Sequence, residues 1–322
     1  MSILIEKSGI LSTIQDLGRT GFRRFGINPN GAMDKTAVRL INVLIDNNEN
    51  AAVLEMHFPA PVLRFEKAAI VALGGADFSA TLGGEAIENW RPIFVGKNQI
   101  LKFTNKIFGN RVYLSIKGGF KINEWLGSAS TNLVAGIGGF EGRSLRKDDR
   151  LFFKSKFKIQ NSKFPYKISK DLIPRYSPFP TARVVAGAEF GKLTAAGREK
   201  FISRNFTISF NSNRMGFRLN GEKLTLAKKF ELVSSAVAFG TIQLLPDGQM
   251  IILMADHQTS GGYPRIAHVV STDLPVLAQL GATDKVNFQL ISLEAAEQLT
   301  LEFEKNLNLL RISVNSKYAF ER

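Results

Sequence analysis

The 322-residue chain contains no cysteine, which excludes disulfide bonds, thiol catalysis and cysteine-ligated metal. It has no apolar run close to the roughly 18 residues that a membrane helix requires. Its first residues lack the basic flank and the small-residue cleavage site of a signal peptide. With 44% hydrophobic residues, the sequence predicts a globular cytoplasmic protein without membrane attachment.

Several catalytic and binding motifs are also missing. The sequence has no G-x-x-x-x-G-K-[ST] loop, and its glycine cluster near residues 135–143 fails the dinucleotide pattern at the third glycine. If ATP binds, it is therefore not held by a phosphate loop of that type. The histidines His57, His257 and His268 have no metal-ligand spacing, and no G-x-S-x-G is present. We predict neither a metal site nor a serine triad.

Acidic residues are too few to balance the basic ones, and the formal net charge is +14. One stretch, residues 154–175, has seven basic residues against the single acidic Asp171 and so supplies +6 of that charge. It has no nucleic-acid motif, and we predict a solvated linker and no nucleic-acid partner. An acidic partner subunit is the alternative. The basic residues are Lys154, Lys156, Lys158, Lys163, Lys167, Lys170 and Arg175.

Short alternating apolar runs, separated by Gly, Asn, Asp and Pro, predict a mainly β protein with a few short helices. Three helices are predicted: Lys35–Leu44 with Asp34 as N-cap, a turn near 273–280, and Leu293–Asn306 after Ser292. The predicted strands are Ile3–Ile5, Ala69–Leu73, Ile100–Phe103, Arg111–Ile116, Ala182–Ala186, Phe206–Phe210, Ile251–Ala255 and Lys285–Leu290.

An eight-residue unit recurs in the sequence. Residues 96–103 and 281–288 share a turn followed by an alternating strand, and residues 146–153 fit the same frame without the glycine. The repeat favours two related β-rich domains, 1–160 and 178–315, divided by the basic, proline-punctuated stretch of residues 154–180.

The most reactive segment is Asp256 to Arg265, directly after an apolar strand. It offers a carboxylate, an imidazole, an amide, hydroxyls, a phenol and a guanidinium within ten residues, which suits proton transfer around a small polar substrate. We predict Asp256, His257, Gln258 and Arg265 as catalytic residues. The alternative is a long turn built by Gly261, Gly262 and Pro264, whose polar residues are only solvated.

Three further loops carry candidate groups. Gln15–Gly21 and Gly26–Asp34 are tight turns that expose N–H groups, beside Asp16 and Arg19. These turns suit an anion or a carbonyl oxygen, although Asp16 and Arg19 pairing with each other is the alternative. A glycine cluster starts at 127. Alternation predicts that Arg214 and Arg218 point to one face as a carboxylate or phosphate clamp, with surface pairing as the alternative.

Four segments together resemble the allophanate hydrolase subunit 2 family, which includes the C component of 5-oxoprolinase, proteins like urea carboxylase and antagonists of a sporulation kinase inhibitor. They are residues 15–34, 127–143, 213–219 and 240–266. The resemblance implies two cyclophilin-like β-barrel domains and a partner B component of the allophanate hydrolase subunit 1 family. In these motifs we predict the substrate-binding residues Asp16, Arg19, Met33, Ser130, Arg214, Gln243, Thr259, Gly261, Gly262 and Tyr263.

The chain departs from the family at His257, where an arginine is common, so a fixed cation is replaced by a group that titrates near neutral pH. The leading functional reading is the C component of an ATP-dependent 5-oxoprolinase acting with the A and B components. Phosphorylation of the lactam oxygen would make it a leaving group, and Asp16 and Arg19 would face Asp256 across an interdomain cleft. Alternatives are a biotin-dependent carboxyltransferase, with biotin carried by another polypeptide, and a non-catalytic regulator that binds a kinase inhibitor.

Overall fold

The computed structural model describes residues 1–154, 164–228 and 231–319, with side chains to residue 316. Three of the linker lysines, Lys156, Lys158 and Lys163, lie outside the described residues. The chain divides into two compact units. The first contains residues 1–19, 34–174 and 304–322, and the second contains residues 20–33 and 175–303. No helix in the described ranges is long and apolar enough to cross a membrane.

The first unit is built from two antiparallel sheets around one apolar core. Its strands are β1 (Ser2–Lys7), β2 (Ser12–Gln15), β3 (Val53–His57), β4 (Val62–Phe65), β5 (Ala69–Asp77), β6 (Ala80–Leu82), β7 (Glu85–Ala86), β8 (Pro92–Val95), β9 (Ile100–Phe103), β10 (Phe108–Ile116) and β11 (Arg150–Phe152). The six-stranded sheet has the order β11-β1-β4-β9-β6-β7, and the five-stranded sheet has the order β2-β3-β10-β5-β8.

The second unit is a closed seven-stranded barrel with the order β12-β19-β16-β17-β14-β13-β20. In this barrel β12 and β20 pair in parallel, and the other neighbours are antiparallel. Its strands, with the separate β15–β18 pair, are β12 (Thr181–Ala186), β13 (Phe206–Ile208), β14 (Gly216–Asn220), β15 (Ser235–Ala236), β16 (Thr241–Leu244), β17 (Met250–Leu253), β18 (Ser260–Gly261), β19 (Arg265–Val269) and β20 (Lys285–Leu290). The prediction of a mainly β fold with few helices is confirmed.

The helices of the described residues are α1 (Lys35–Leu44), α2 (Ala195–Ser203), α3 (Leu274–Ala278) and α4 (Leu293–Ala319). The predicted bounds of α1 are confirmed, and the Asp34 side chain accepts a hydrogen bond from the Ala37 N–H at 2.8 Å, as an N-cap does. The helix packs close to β5 at Gly74, where a Cβ would meet Ile41 Cγ2 at 2.6 Å. Glycine there lets the helix and the sheet approach each other.

The C-terminal helix differs from the prediction, which ended it at Asn306. It continues to Ala319 because its buried stripe continues with Leu307 and Val314, which are 1% and 3% exposed. Within the first unit, Arg39 donates to both carboxylate oxygens of Glu304 at 2.6 and 2.7 Å. The helices are therefore few, but one of them is long.

The recurring eight-residue unit folds into the same turn three times. The backbone N–H of its first residue donates to the side chain of the fourth, at 2.6 Å for Gly96 and 2.7 Å for Gly281 and Arg146. The third residue is left-handed each time, with φ of 65° at Asn98, 70° at Asp148 and 74° at Thr283. The sequence similarity therefore records one local turn design that precedes β9, β11 and β20.

Part of the predicted solvated linker is packed. Phe164 and Ile168 are 6% and 2% exposed, and the Ile168 N–H donates to the Trp90 carbonyl at 2.9 Å. Lys167 and Lys170, between and beyond these anchors, are exposed. Two apolar residues four positions apart are sufficient to dock this stretch on the first unit, so the prediction of a fully solvated linker is wrong for residues 164–168.

Candidate functional site

A buried ion pair joins two of the predicted loops in the second unit. Arg214 lies in the turn before β14, and Asp256 lies just after β17. Arg214 Nε donates to Asp256 Oδ2 at 2.8 Å and Nη2 donates to Oδ1 at 3.2 Å. The Asp256 N–H donates to the Arg214 carbonyl at 2.8 Å. With side chains only 7% and 10% exposed, this bidentate pair is largely removed from water.

The Asn-Pro-Asn-Gly segment of the N-terminal loop completes this centre, because residues 20–33 belong to the barrel unit. Asn30 Nδ2 donates to Asp256 Oδ1 at 2.8 Å, and Arg214 Nη2 donates to the Gly31 carbonyl at 2.6 Å. Asn28 Nδ2 donates to the His257 carbonyl at 2.6 Å. The Asp256 carboxylate thus accepts hydrogen bonds from an arginine and from an amide, and these contacts fix its position.

His257 is buried, with 1% exposure, and its Nδ1 lies 2.5 Å from the Gln258 carbonyl oxygen. A carbonyl only accepts hydrogen bonds, so Nδ1 carries the proton in this contact. Of the two ring nitrogens, Nδ1 is therefore not the atom that would take up a proton from a substrate. The catalytic role of His257 stays a prediction.

The predicted clamp of Arg214 and Arg218 is wrong. Arg214 is 6% exposed, whereas Arg218 is exposed to solvent. Strand β14 begins only at Gly216, so Arg214 lies in a turn where the alternation of a strand does not apply. Arg214 therefore turns inward to Asp256 while Arg218 stays on the outer surface of the strand.

A second polar group lies on the outer face of the barrel wall. Because Ile242 and Ile266 point into the apolar core, alternation along β16 and β19 turns Gln243 and Arg265 to the outside. Gln243 is nevertheless fully buried, because the loop after β17 covers it. The register of β19 shifts by one residue between Arg265 and Ala267, so His268, which pairs with Thr241, lies on the same face, and its Nδ1 is 3.2 Å from Thr241 Oγ1.

Arg265, a predicted catalytic residue, forms an ion pair with Glu189, which sequence reasoning missed. Arg265 Nη2 donates to Glu189 Oε1 at 3.0 Å, and the Arg265 N–H donates to Oε2 at 2.8 Å. Burial alone would raise the pKa of Glu189, but the hydrogen bonds and the charge of Arg265 outweigh it and the pKa is lowered. The hydrogen bond that Arg265 donates to Glu189 raises the pKa of Arg265.

The same ion pair acts on His268. Burial lowers the pKa of this imidazole, and the positive charge of Arg265 lowers it further, while Glu189 opposes both effects. The neutral imidazole is therefore favoured beside Gln243 and Arg265. A neutral histidine has one nitrogen that donates and one that accepts, which suits an outer face on which charge is already balanced.

The loop from Gln258 to Tyr263 covers this outer face. Ser260 and Gly261 pair with Ser235 and Ala236 as a two-stranded ribbon. A Cβ on Gly261 would meet Gln243 Nε2 at 2.8 Å and Gln258 Nε2 at 3.4 Å, so both carboxamides lie against this glycine. The Thr259 carbonyl accepts from the Val237 N–H at 3.2 Å, Gly262 is exposed, and Tyr263 is 44% exposed.

The remaining polar candidates form a cluster in the first unit. Asp16, 2% exposed, accepts hydrogen bonds from Ser128 Oγ at 2.7 Å, the Ala129 N–H at 2.6 Å, Ser130 Oγ at 2.5 Å and the Gly18 N–H at 2.8 Å. The carboxylate thus receives four neutral donors from two glycine-containing loops. The predicted residues Asp16 and Ser130 are in direct contact.

Arg19 belongs to the same cluster. Its Nη2 donates to the Ser130 carbonyl at 2.6 Å, and its guanidinium carbon lies 4.9 Å from the centre of the Trp125 ring. Gly138 has a φ of 71°, and a Cβ there would meet the Ser130 carbonyl oxygen at 2.3 Å. Glycine at 138 is therefore needed for both the backbone angle and the close approach of the two loops.

The structure brings together Asp16, Arg19 and Ser130 in the first unit. In the second unit it brings together Arg214, Asp256 and His257, and separately Gln243, Gln258, Gly261, Tyr263 and Arg265. The Met33 side chain instead belongs to the apolar core of the second unit and has no exposure. The predicted cleft between Asp16 and Asp256 stays a prediction.

Four contributing residues were missed: Asn28, Asn30, Ser128 and Glu189. The asparagines stood in a loop that was noted for its glycines, and Asn30 has a φ of 54°, which asparagine tolerates better than most residues. Ser128 precedes Ser130 by two residues in a Ser-Ala-Ser run. Glu189 had no local signal, because only tertiary structure places it beside Arg265.

The family described as "Carboxyltransferase domain, subdomain A and B" matches residues 25–290, a span that includes the barrel and both polar groups of the second unit. The chain belongs to this family. The resemblance noted in the sequence is therefore confirmed. Within the described ranges, no group of three or more His, Asp or Glu residues is placed to hold a metal ion.

Two relatives match nearly full length. The chain is 36% identical to the C component of 5-oxoprolinase from Haemophilus influenzae over 95% of this chain and 96% of that protein. It is 37% identical to the C component of 5-oxoprolinase from Escherichia coli over 91% of this chain and 92% of that protein. Among solved structures, urea carboxylase of Kluyveromyces lactis superposes with a TM-score of 0.90 at 29% identity, over 96% of this chain and 29% of that one.

Proposed function

We propose that this chain is the C component of an ATP-dependent 5-oxoprolinase, which opens 5-oxoproline to glutamate together with the A and B components. One observation carries the proposal: the 36% identity to a 5-oxoprolinase C component extends over 95% of this chain and 96% of the relative. Similarity over the whole of both chains favours a shared role more strongly than similarity of one domain does. The proposed location is the cytoplasm.

Opening a lactam requires groups that hold the ring, stabilise charge on its oxygen and move protons. The Arg214–Asp256 centre supplies a fixed dipole and an orienting carboxylate, and the outer barrel face supplies the carboxamides of Gln243 and Gln258. His268, whose pKa is lowered by burial and by Arg265, is a neutral proton carrier on that face. Asp16 and Arg19, in the first unit, stay predicted substrate-binding residues.

We assign ATP binding to the assembled complex, because this chain has no phosphate loop and the guanidinium groups of Arg214 and Arg265 already bind carboxylates. On this proposal the chain binds and orients the lactam, and the partner proteins bring the nucleotide. Activity should therefore require the complex. If the chain is instead a carboxyltransferase, the same residues would contact a biotin group carried by another polypeptide.

A biotin-dependent carboxyltransferase is the second candidate, because it matches the family description and the TM-score of 0.90 to a urea carboxylase. Bound biotin would supply the carboxyl group for transfer. A ureido ring needs hydrogen-bond donors and acceptors of the kind that the carboxamide of Gln243 offers, so the residues fit such a group. This chain contains no Met-Lys-Met carrier signature, so biotin would arrive on a partner.

Reconstitution tests the proposal. The chain should be purified alone and with the A and B components, and glutamate formation from 5-oxoproline should be measured with and without ATP. We expect glutamate only from the three-component mixture with ATP, and none when this chain is omitted. Full activity without this chain would contradict the proposal, whereas carboxyl transfer from a biotinylated carrier would favour the alternative.

A further inference from the structure

Gln243 carries a buried polar atom that has no hydrogen-bond partner in the part of the chain that the structure describes. The side chain has no solvent exposure, and its Nε2 donates to the Tyr263 carbonyl at 3.3 Å. Because a carbonyl only accepts, this bond fixes which end of the carboxamide is the nitrogen. Among the described residues, no group donates to Gln243 Oε1. A buried acceptor without a donor costs free energy, so its retention requires an explanation.

The same arrangement occurs in the first unit. Gln15 is the last residue of strand β2, and Gln243 is the third residue of β16. Each glutamine follows a Thr-Ile pair, and every residue of both four-residue strands is buried. Gln15 Nε2 donates to the Thr131 carbonyl at 3.4 Å, and Gln15 Oε1 lacks a donor among the described residues. A buried glutamine with an unsatisfied Oε1 therefore occurs once in each unit, at the same position after a Thr-Ile pair.

Gly261 lies directly against the Gln243 carboxamide. A Cβ at position 261 would lie 2.8 Å from Gln243 Nε2, although the φ of Gly261 is not in the left-handed region. The backbone conformation does not require glycine here, and a methyl group at position 261 would press on the end of the Gln243 side chain. The cover over Gln243 is the short β15–β18 ribbon, which is held by pairs such as Ser235 with Gly261.

We propose that the Gln243 carboxamide recognises the N–H/C=O edge of a cyclic cis-amide, as found in a lactam or a ureido ring. Oε1 accepts the ligand N–H, and the second hydrogen of Nε2 donates to the ligand carbonyl oxygen. A cis-amide presents its donor and its acceptor on one edge, which is the complement of a primary carboxamide. The ligand enters when the β15–β18 ribbon lifts, and it satisfies the acceptor that the fold leaves unpaired.

The choice of 5-oxoproline as the lactam rests on the proposed function. The recognition of a cis-amide edge by the Gln243 carboxamide does not. The first probe pair is 5-oxoproline and its lactone analogue, 5-oxotetrahydrofuran-2-carboxylate, in which a ring oxygen replaces the N–H without added bulk. A site that accepts a hydrogen bond from the ligand should bind the lactone at least about tenfold more weakly. The second probe, 2-imidazolidinone, represents a ureido ring.

The variants are Gln243→Met, which keeps the side-chain length without hydrogen-bonding groups, and the control Gln249→Met. Gln249 also donates to a backbone carbonyl, that of Gly221 at 3.3 Å, but lies in the β16–β17 turn. Binding is measured by calorimetry on the full chain, and the KM for 5-oxoproline is measured in the complex with the A and B components. Gln243→Met should raise the KM about tenfold or more and remove the preference over the lactone, while Gln249→Met should change neither.

Stability separates ligand recognition from a structural role. Gln243→Met removes an unsatisfied buried acceptor and also one long hydrogen bond, to the carbonyl of the exposed Tyr263. If Gln243 exists for the ligand, the gain should offset the loss, and the urea midpoint of unfolding should be unchanged or raised. If Gln243 supports the fold, the midpoint should fall, and the inference is then wrong. If Gln243→Met does not fold, that result also counts against the inference. Gly261→Ala, which presses on the Gln243 carboxamide, then tests recognition by the KM for 5-oxoproline and by the preference over the lactone.

The outcomes also distinguish this inference from the proposed function. An active complex whose Gln243→Met variant keeps the wild-type KM and lactone preference overturns the inference and leaves the function intact. A chain that binds 2-imidazolidinone through Gln243, in a complex that makes no glutamate, supports edge recognition and rejects the lactam function. Binding of neither probe, to the chain or to the complex, overturns the inference.

Discussion

The two units each bury an aspartate in a glycine-rich environment, and they hold it in different ways. Asp16 in the first unit accepts hydrogen bonds from neutral donors, which are two serine hydroxyls and two backbone N–H groups. Asp256 in the second unit is bound by the guanidinium of Arg214 and by the amide of Asn30. The first arrangement is built mainly from turn backbone and hydroxyl groups, whereas the second depends on a buried cation.

This difference predicts unequal responses to mutation. The serine hydroxyls around Asp16 can rotate to accept a hydrogen bond from a substituted amide, so the loss of one bond is partly recovered. A buried ion pair cannot be half removed without leaving a charge in a medium of low polarity. The second unit should therefore be the more sensitive of the two to a single substitution in its polar centre.

The largest effect is expected for Arg214→Met, which leaves the Asp256 carboxylate buried without its cation. We expect the free energy of unfolding in urea to fall by about 3–5 kcal/mol. The matched control is Arg218→Met, four residues away on the exposed face, which should change it by less than about 0.5 kcal/mol. The double variant Arg214→Met/Asp256→Leu should recover most of the loss. Equal values for Arg214→Met and Arg218→Met would show that the buried ion pair does not stabilise the second unit.

A smaller effect is expected for Asp16→Asn. The amide NH2 would replace a carboxylate oxygen that accepts hydrogen bonds, so its hydrogens would face a donor. We expect a loss of about 1–3 kcal/mol in the free energy of unfolding. Asp148→Asn is the control, since Asp148 is exposed and has a φ of 70°, which asparagine tolerates. A loss as large as that of Arg214→Met would show that Asp16 also depends on charge.

The smallest expected effect concerns pH and is confined to the second unit. Because the folded pKa of His268 lies below its unfolded value of 6.5, the unfolded chain binds more protons between the two pKa values. Its contribution to stability is thus fully present above about pH 6.5 and is lost as the pH falls toward the folded pKa. The lowered pKa of Glu189 acts in the same direction at more acidic pH.

Urea unfolding of the wild type and of His268→Gln, measured from about pH 7.5 downward, checks this expectation. The wild type should lose stability below about pH 6.5, and the variant should show a flatter curve in that range. Identical curves would mean that His268 has the same pKa in both states. A curve that rises as the pH falls would reverse the sign of the shift.

The sequence predicted what depends on local chemistry. Asp34 before an apolar period of about 3.6 residues led to the bounds of α1, and alternation led to β9 and β20. It failed for α2, whose nine residues bury only Gly197 and Phe201 and so show no apolar stripe. Residues 164–168 were also misjudged, because the lysines concealed two apolar anchors.

The site was predicted as a set of loops but not as a set of contacts. Asp256, Arg214 and the Asn-Pro-Asn-Gly loop were each noticed, yet their meeting depends on tertiary structure. Arg265 was predicted without Glu189, its partner at 3.0 Å, and alternation misplaced Arg214 because the strand begins two residues later. Buried partners of this kind are chosen by the fold and leave no local pattern.

Burial also changes what a substitution at Asp256 is expected to do. A carboxylate in a polar loop would be replaced at little cost to folding, but Asp256 is 8% exposed and paired. Asp256→Asn keeps the shape and one acceptor oxygen, so it is the substitution best suited to separate function from folding. Its free energy of unfolding should be measured beside its kinetics.

The most direct test of the account is the steady-state kinetics of the reconstituted complex containing Asp256→Asn, assayed for ATP-dependent glutamate formation at a temperature where the variant is folded and co-elutes with the A and B components. If the Arg214–Asp256 centre serves the reaction, kcat should fall by about 100-fold or more. Asp16→Asn, in the same assay, should raise the KM for 5-oxoproline more than it lowers kcat. A kcat equal to that of the wild type in the Asp256→Asn complex would contradict the account.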